Sequence, residues 1–170
     1  MSNAQDPQAP LPPENAPVPG TDIPEDVHAD YANEGVQAAL ASLRETPDYE
    51  RLAAFLNALR EGYLIADVTG TPVSKKKGRR VRTIRSTTGQ LVLPLFTSMA
   101  MLRRTAPESR RDEVKGVVMV AREALALIAS DRFVAAEFNK GSDSFVVLRK
   151  YVTLAVTDKP ITAELLERMR

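Results

Sequence analysis

From Asn33 onward the apolar positions fall at helical spacing. Val36, Leu40 and Leu43 share one face of a predicted helix over residues 34–44, with Asn33 as its N-cap. Thr46-Pro47-Asp48 reads as a break and restart, with Thr46 capping and Pro47 at the first helical position. A second helix then runs to about Arg60, carries Leu52, Phe55, Leu56 and Leu59 as its apolar stripe, and is stopped by Gly62. The pattern next turns β-like. Residues 63–68, 81–86 and 91–96 read as strands, the last two joined by the turn Thr87-Thr88-Gly89-Gln90 into a hairpin. Pro94 has no N–H to give a ladder, which places it at an edge, a bulge or a strand end.

The second half repeats this mixture. Thr97 or Ser98 caps a short helix to about Arg104, residues 106–111 form a polar loop, and 114–120 is a strand. A helix over 122–130 follows, with Leu125, Leu127 and Ile128 apolar. Strands at 133–138 and 144–150 flank Asn139-Lys140-Gly141-Ser142-Asp143, whose Asn and Gly suit a hairpin turn. Asp158 and Pro160 introduce a last helix over 161–169. Helices and strands alternate with two hairpins, so the expected fold is α+β: a mixed sheet with flanking helices. The expected organisation is a leader over 1–30, one domain over 31–157 and a C-terminal helix over 158–170.

Composition sharpens the leader. Seven of the 12 prolines lie in residues 1–30, where apolar side chains are sparse. Proline fixes φ and removes a donor, so the leader is expected to be disordered. It holds Asp6, Glu14, Asp22, Glu25, Asp26 and Asp30 and no Lys or Arg, a charge of −6. The remainder has 23 basic and 22 − 6 = 16 acidic residues, or +7, so the overall +1 hides a dipolar chain. No apolar run is long enough for a membrane span and no secretory signal is visible, so a cytoplasmic location with no membrane partner is expected.

Candidate chemistry is defined mostly by what is missing. The sole histidine is His28, in the leader, and there is no cysteine. The folded part therefore has no imidazole or thiolate for a zinc site, a Ser-His-Asp triad or a Cys-His pair. No glycine-rich phosphate loop is present. No enzyme activity, cofactor or metal is expected. Asp67, Glu123, Glu137 and Asp143 remain as carboxylates for acid-base work or magnesium, on different elements and without diagnostic spacing. Asp67, among apolar strand residues, needs a partner; an outward-facing strand position or an ion pair with an arginine is the favoured reading. Met99, Met101 and Met119 read as core filler. The densest charge feature is Lys75, Lys76, Lys77, Arg79, Arg80, Arg82 and Arg85, with no acid among them. Such a loop could contact phosphates or receive the acidic leader. No aromatic residue is interleaved with it, which argues against base stacking.

The order of helix, strand, polar insert and the string Gly89-Gln90-Leu91-Val92-Leu93-Pro94-Leu95-Phe96-Thr97-Ser98, followed by the Phe138-Asn139-Lys140-Gly141-Ser142 turn, resembles the N-terminal domain of the SseB-like family. Pro94, Phe96, Thr97, Ser98, Asn139, Gly141 and Ser142 occupy family-motif positions, while Lys140 stands where a proline is usual. The resemblance implies an α/β character and no established catalytic activity. The leading expectation is a non-enzymatic protein-interaction domain with an unidentified partner. The second is RNA or ribosome association through residues 75–85, and the third is a carboxylate-dependent enzyme.

Overall fold

The computed structural model describes residues 31–70, 73–74, 78–79 and 81–170. The leader, and with it the disorder expected there, lies outside the described residues, as do Lys75, Lys76, Lys77 and Arg80.

The chain begins with α1 (Glu34–Glu45), where the Asn33 side chain accepts from the Val36 N–H and where Val36, Leu40 and Leu43 are buried. Thr46 is the C-cap of α1, and Asp48 is the N-cap of α2 (Tyr49–Ala58). The expected Thr46 cap is thus corrected by two residues. Asp48 offers a carboxylate to the Arg51 N–H at 2.8 Å, and that hydrogen bond holds its carboxyl below the usual range. Then come β1 (Tyr63–Asp67), β2 (Val73–Ser74), β3 (Gly78–Arg79), β4 (Ile84–Arg85) and β5 (Leu91–Phe96). The strand expected over 81–86 is cut to two residues.

Ser98, not Thr97, caps α3 (Met99–Arg103). The expected polar loop at 106–111 is instead a 3-10 turn over Glu108–Glu113. β6 (Gly116–Val120), α4 (Ala121–Ala126) and a 3-10 turn over Leu127–Ala129 follow. β7 (Phe133–Phe138) and β8 (Phe145–Leu148) form the second hairpin. The strand expected to Lys150 ends early, because α5 (Arg149–Val156) starts at once and buries Tyr151, Val152 and Ala155. That spacing is helical, although the residues Tyr-Val-Thr favour a strand by type. The last helix is α6 (Ala163–Arg168), capped by Thr162.

Six strands form one mixed sheet in the order β6-β1-β5-β7-β8, with β4 also on β5; β2 and β3 make a separate antiparallel pair. Only β5 and β7 run parallel among the described strands. Proline is accommodated inside the central strand β5 by the way its partners are shared. On one side β4 covers Leu91 and Val92 while β1 covers Leu95 and Phe96. The Leu95 carbonyl accepts from Asn139 N on the β7 side, so strand alternation turns the Pro94 nitrogen to the other side, at the junction of β4 and β1. Pro94 thus sits at none of the expected positions, an edge, a bulge or a strand end, but at a local gap in a central strand.

One sheet face packs against α1, α2, α4, α5 and α6 around Phe55, Leu56, Leu93, Leu95, Phe138 and Val152. The other face carries a smaller cluster of Ile65, Phe96, Met99, Leu102 and Val118, with Tyr31 and Tyr63 at its border. Gly116 sits beneath that cluster. A Cβ there would meet Leu102 Cδ2 at 2.6 Å, Ile65 Cγ2 at 2.8 Å and Met99 Sδ at 2.9 Å. Gly116→Ala should therefore destabilise the fold by about 1–3 kcal/mol, the usual cost of overpacking. Urea unfolding checks this, and an unchanged midpoint would show that the cluster yields freely.

Candidate functional site

The motif strings meet in space. Asn139 is 2% exposed and follows β7; Thr97 is fully buried and follows β5. The Asn139 Oδ1 accepts from Thr97 N at 3.0 Å, and its Nδ2 donates to Thr97 Oγ1 at 3.1 Å. Asn139 N donates to the Leu95 carbonyl at 2.9 Å. The side chain thus continues the β5–β7 pairing beyond the last strand residue. Gln37 of α1 adds a 3.1 Å bond to Thr97 Oγ1. A buried amide has four hydrogen-bonding capacities, and Thr97 meets both the oxygen and the nitrogen of this one.

A second asparagine repeats the device. The Asn33 Nδ2 donates to the Glu61 and Tyr63 carbonyls, both at 3.0 Å, while Asn33 N donates to Thr97 O. Tyr31 Oη accepts from Tyr63 N at 3.0 Å, and burial pushes the Tyr31 phenol above its ordinary pKa. These bonds fasten the start of the described chain and the α2–β1 turn to the end of β5.

The remaining motif residues take structural posts nearby. Ser98 Oγ accepts from Met101 N at 3.1 Å and is 5% exposed, so its oxygen serves the backbone of α3. Asn139 has φ 56° and Gly141 φ 86°, which the tight turn into β8 requires. Gly141 lies against Thr105, and Ser142 Oγ accepts from Arg104 at 3.3 Å. Pro94 and Phe96 point elsewhere, into a cleft.

That cleft, of about 420 Å³, opens where β4 and β1 part along β5. It is lined by Asp67, Arg82, Thr83, Ile84, Arg85, Pro94, Phe96, Thr105 and Lys140. Asp67 is nearly buried. Its Oδ1 accepts from Thr69 N at 2.9 Å and its Oδ2 lies 3.6 Å from the Arg82 guanidinium, so of the two readings of Asp67 the arginine ion pair is found and the outward-facing position is not. Arg85 donates to the Gly89 carbonyl at 2.8 Å and is otherwise exposed. Of the basic run, then, Arg82 and Arg85 reach the cleft, Arg79 pairs through its backbone with Val73, and the rest lie outside the described residues. Lys140 and Thr105 also line the cleft, and the sequence alone does not single them out as cleft residues. The signal for Lys140 was its place at the one motif position where a proline is usual.

The other carboxylates are scattered. Glu137 accepts from Ser144 Oγ at 2.5 Å, and Asp143 pairs with Arg44 at 2.9 Å, beside a second, smaller cleft of about 200 Å³ lined by Gln37, Met101 and Asn139. Among the described residues no three His, Cys, Asp or Glu side chains converge as a metal site, and no helix is long and apolar enough to cross a membrane.

The comparisons with known proteins agree with the motif. The family model described as the SseB protein N-terminal domain matches residues 36–153, and the chain belongs to that family. No curated protein and no solved structure matches it.

Asn139→Ala would leave the Thr97 N–H buried without its acceptor. It should cost about 1–3 kcal/mol of unfolding free energy. A chemical-denaturation midpoint equal to wild type would remove Asn139 from its role as a structural tie.

Proposed function

We propose that this SseB-family domain is a non-catalytic protein-binding module, working in the cytoplasm, whose partner docks on the sheet face left open by the helices. The observation that carries this reading is the composition of that face. Strand register aligns Pro94, Glu137 and Val146 in one row and Ile84, Val92, Ala135 and Leu148 in the next. Val146 and Leu148 are 53% and 52% exposed, the large hydrophobic residues left exposed among those described. They lie on β8, whose outer edge has no described partner strand. An edge strand with two apolar side chains on one face is a surface that soluble proteins normally protect. Here it adjoins a cleft rimmed by Arg82, Arg85 and Lys140.

The motif oxygens support a non-enzymatic role. Ser98 Oγ is engaged with backbone, and Asn139 and Thr97 satisfy each other. Asp67 is tied to Arg82 and Thr69. A nucleophile or general base needs a free lone pair facing a substrate; the oxygens of Thr97, Ser98 and Asn139 are engaged by backbone and by each other, and the cleft-lining Asp67 carboxylate already meets Arg82 and Thr69.

A second reading has RNA as the partner. It is favoured by the charge split of −6 against +7 and by the lysine run between the paired residues Ser74 and Gly78. Neutralising Lys75, Lys76 and Lys77 would abolish such binding, which would also fall steeply with salt.

The two are separated by quantitative affinity capture with the full chain. Val146→Asp with Leu148→Asp should lose the partner, and so should Arg85→Glu with Lys140→Glu, while Glu164→Ala on α6 keeps it. Capture indifferent to both open-face variants but lost with the three lysines would transfer the function to RNA. Binding unaffected by any of these changes would remove the reading.

A further inference from the structure

Strand alternation settles which backbone groups of β8 are free. Asn139 N donates to the Leu95 carbonyl, so Glu137 and Asn139 turn their backbone polar groups toward β5, and Ala136 and Phe138 turn theirs toward β8. The partners of those two, Val147 and Phe145, therefore face β7. That leaves the N–H groups of Val146 and Leu148 and the Val146 carbonyl directed outward. The same two residues carry the exposed apolar side chains. Edge strands are normally blunted by a proline, a bulge or a charge. Phe145–Leu148 contains no proline and no charge, and it pairs with β7 without a register shift. No strand among the described residues covers its outer edge.

We propose that β8 pairs with β8 of a second copy of this chain, antiparallel about a twofold axis through Val146. The inference rests on the reading of this strip as a binding surface and commits to one occupant of it. Charge selects a second copy and the antiparallel sense. The strand is flanked by Asp143 on its N-terminal side and by Arg149 and Lys150 on its C-terminal side. Antiparallel pairing sets the acid of each copy beside the bases of the other, whereas parallel pairing would set like against like.

The supply of acceptors fixes the register. Leu148 is the N-cap of α5, so its carbonyl accepts the first bond of that helix. A pair centred on Val146 makes no demand on it. The Val146 N–H and C=O meet their own counterparts across the axis, and each Leu148 N–H meets the other copy's Ser144 carbonyl. A pair centred on Val147 would draw on both Leu148 carbonyls. With Val146 on the axis, its side chain packs on its twin and Leu148 reaches the twin diagonally, so the exposed apolar residues cover one another. The contact is isologous, and one edge supplies both halves of it. Two strands of four residues fall short of the about 1,000 Å² that a lasting interface buries, so the dimer is transient and forms as concentration rises. It also occupies the residues that a separate partner needs.

Sedimentation equilibrium of the full chain between about 10 μM and about 1 mM should show a mass rising toward that of two chains. Val146→Lys puts two cations directly across the axis and should weaken this association about tenfold or more, with an unchanged thermal midpoint. Crosslinking tests the register. The chain has no cysteine, so an introduced thiol meets only its twin. Under mild oxidation Val146→Cys should give a disulfide dimer, because residues paired in this way have Cα atoms about 5.5 Å apart. Leu148→Cys should not, since its twin stands about 14 Å away along the strand. A mass that does not rise with concentration, an association indifferent to Val146→Lys, or equal crosslinking from the two positions would overturn the proposal. A monomer whose capture of a separate partner is still lost with Val146→Asp and Leu148→Asp overturns the self-pairing and spares the docking reading. A dimer in a chain that captures nothing upholds the self-pairing and removes the separate partner.

Discussion

A buried amide side chain at the end of β7 has to be satisfied by groups at the end of β5, and much of the architecture follows from how that is done. Asn139 is almost wholly buried, and two of its bonds go to Thr97. An unpartnered polar group in that position would cost far more than a hydrogen bond returns. The exchange fixes the ends of the one parallel strand pair among the described strands, which local turns cannot hold as they hold a hairpin. Gln37 and Asn33 then tie α1 to the same point, so the first helix, the central strand and the β7–β8 turn share a single junction.

This junction explains why the motif strings are structural while the surface beside them is free to act. Thr97, Ser98, Asn139 and Gly141 spend their polar groups or their backbone freedom on the fold. Pro94 and Phe96, interleaved with them, face the cleft instead. The helices crowd one face of the sheet, and α3 covers part of the other. What is left is a strip running from the cations of the cleft to Val146 and Leu148 on the edge strand. Positive charge at one end and apolar side chains at the other suit an acidic segment with apolar residues in it.

The fold class, five of the strand positions and both hairpins were legible in the sequence, because short β-prone apolar runs bounded by turn residues read as strands even where burial on both faces removes any alternation. Asn33 as a cap was legible for the same kind of local reason, whereas an arginine pair was one of two readings of Asp67 and Arg82 itself was not singled out. What failed was set by tertiary context. Residues 149–156 have strand-forming types, yet burial at helical spacing against β7 and α4 makes them α5. Thr46 and Asp48 are both good caps, and only the packing of α1 on α2 decides between them. Pro94 reads as an edge, bulge or strand-end residue, and the gap that admits it exists only because two strands share one side of β5. The cleft itself was invisible, since Asp67, Arg82, Thr105 and Lys140 are brought together from four separate elements and loops.

The proposed docking surface is the open sheet face and not the helical face. Photocrosslinking tests it most directly. With p-benzoylphenylalanine replacing Val146 in the full chain, crosslinks to a partner protein should form; the same probe replacing Glu164 on α6 should give none. Crosslinks of equal yield from the two positions, or from Glu164 alone, would contradict the account.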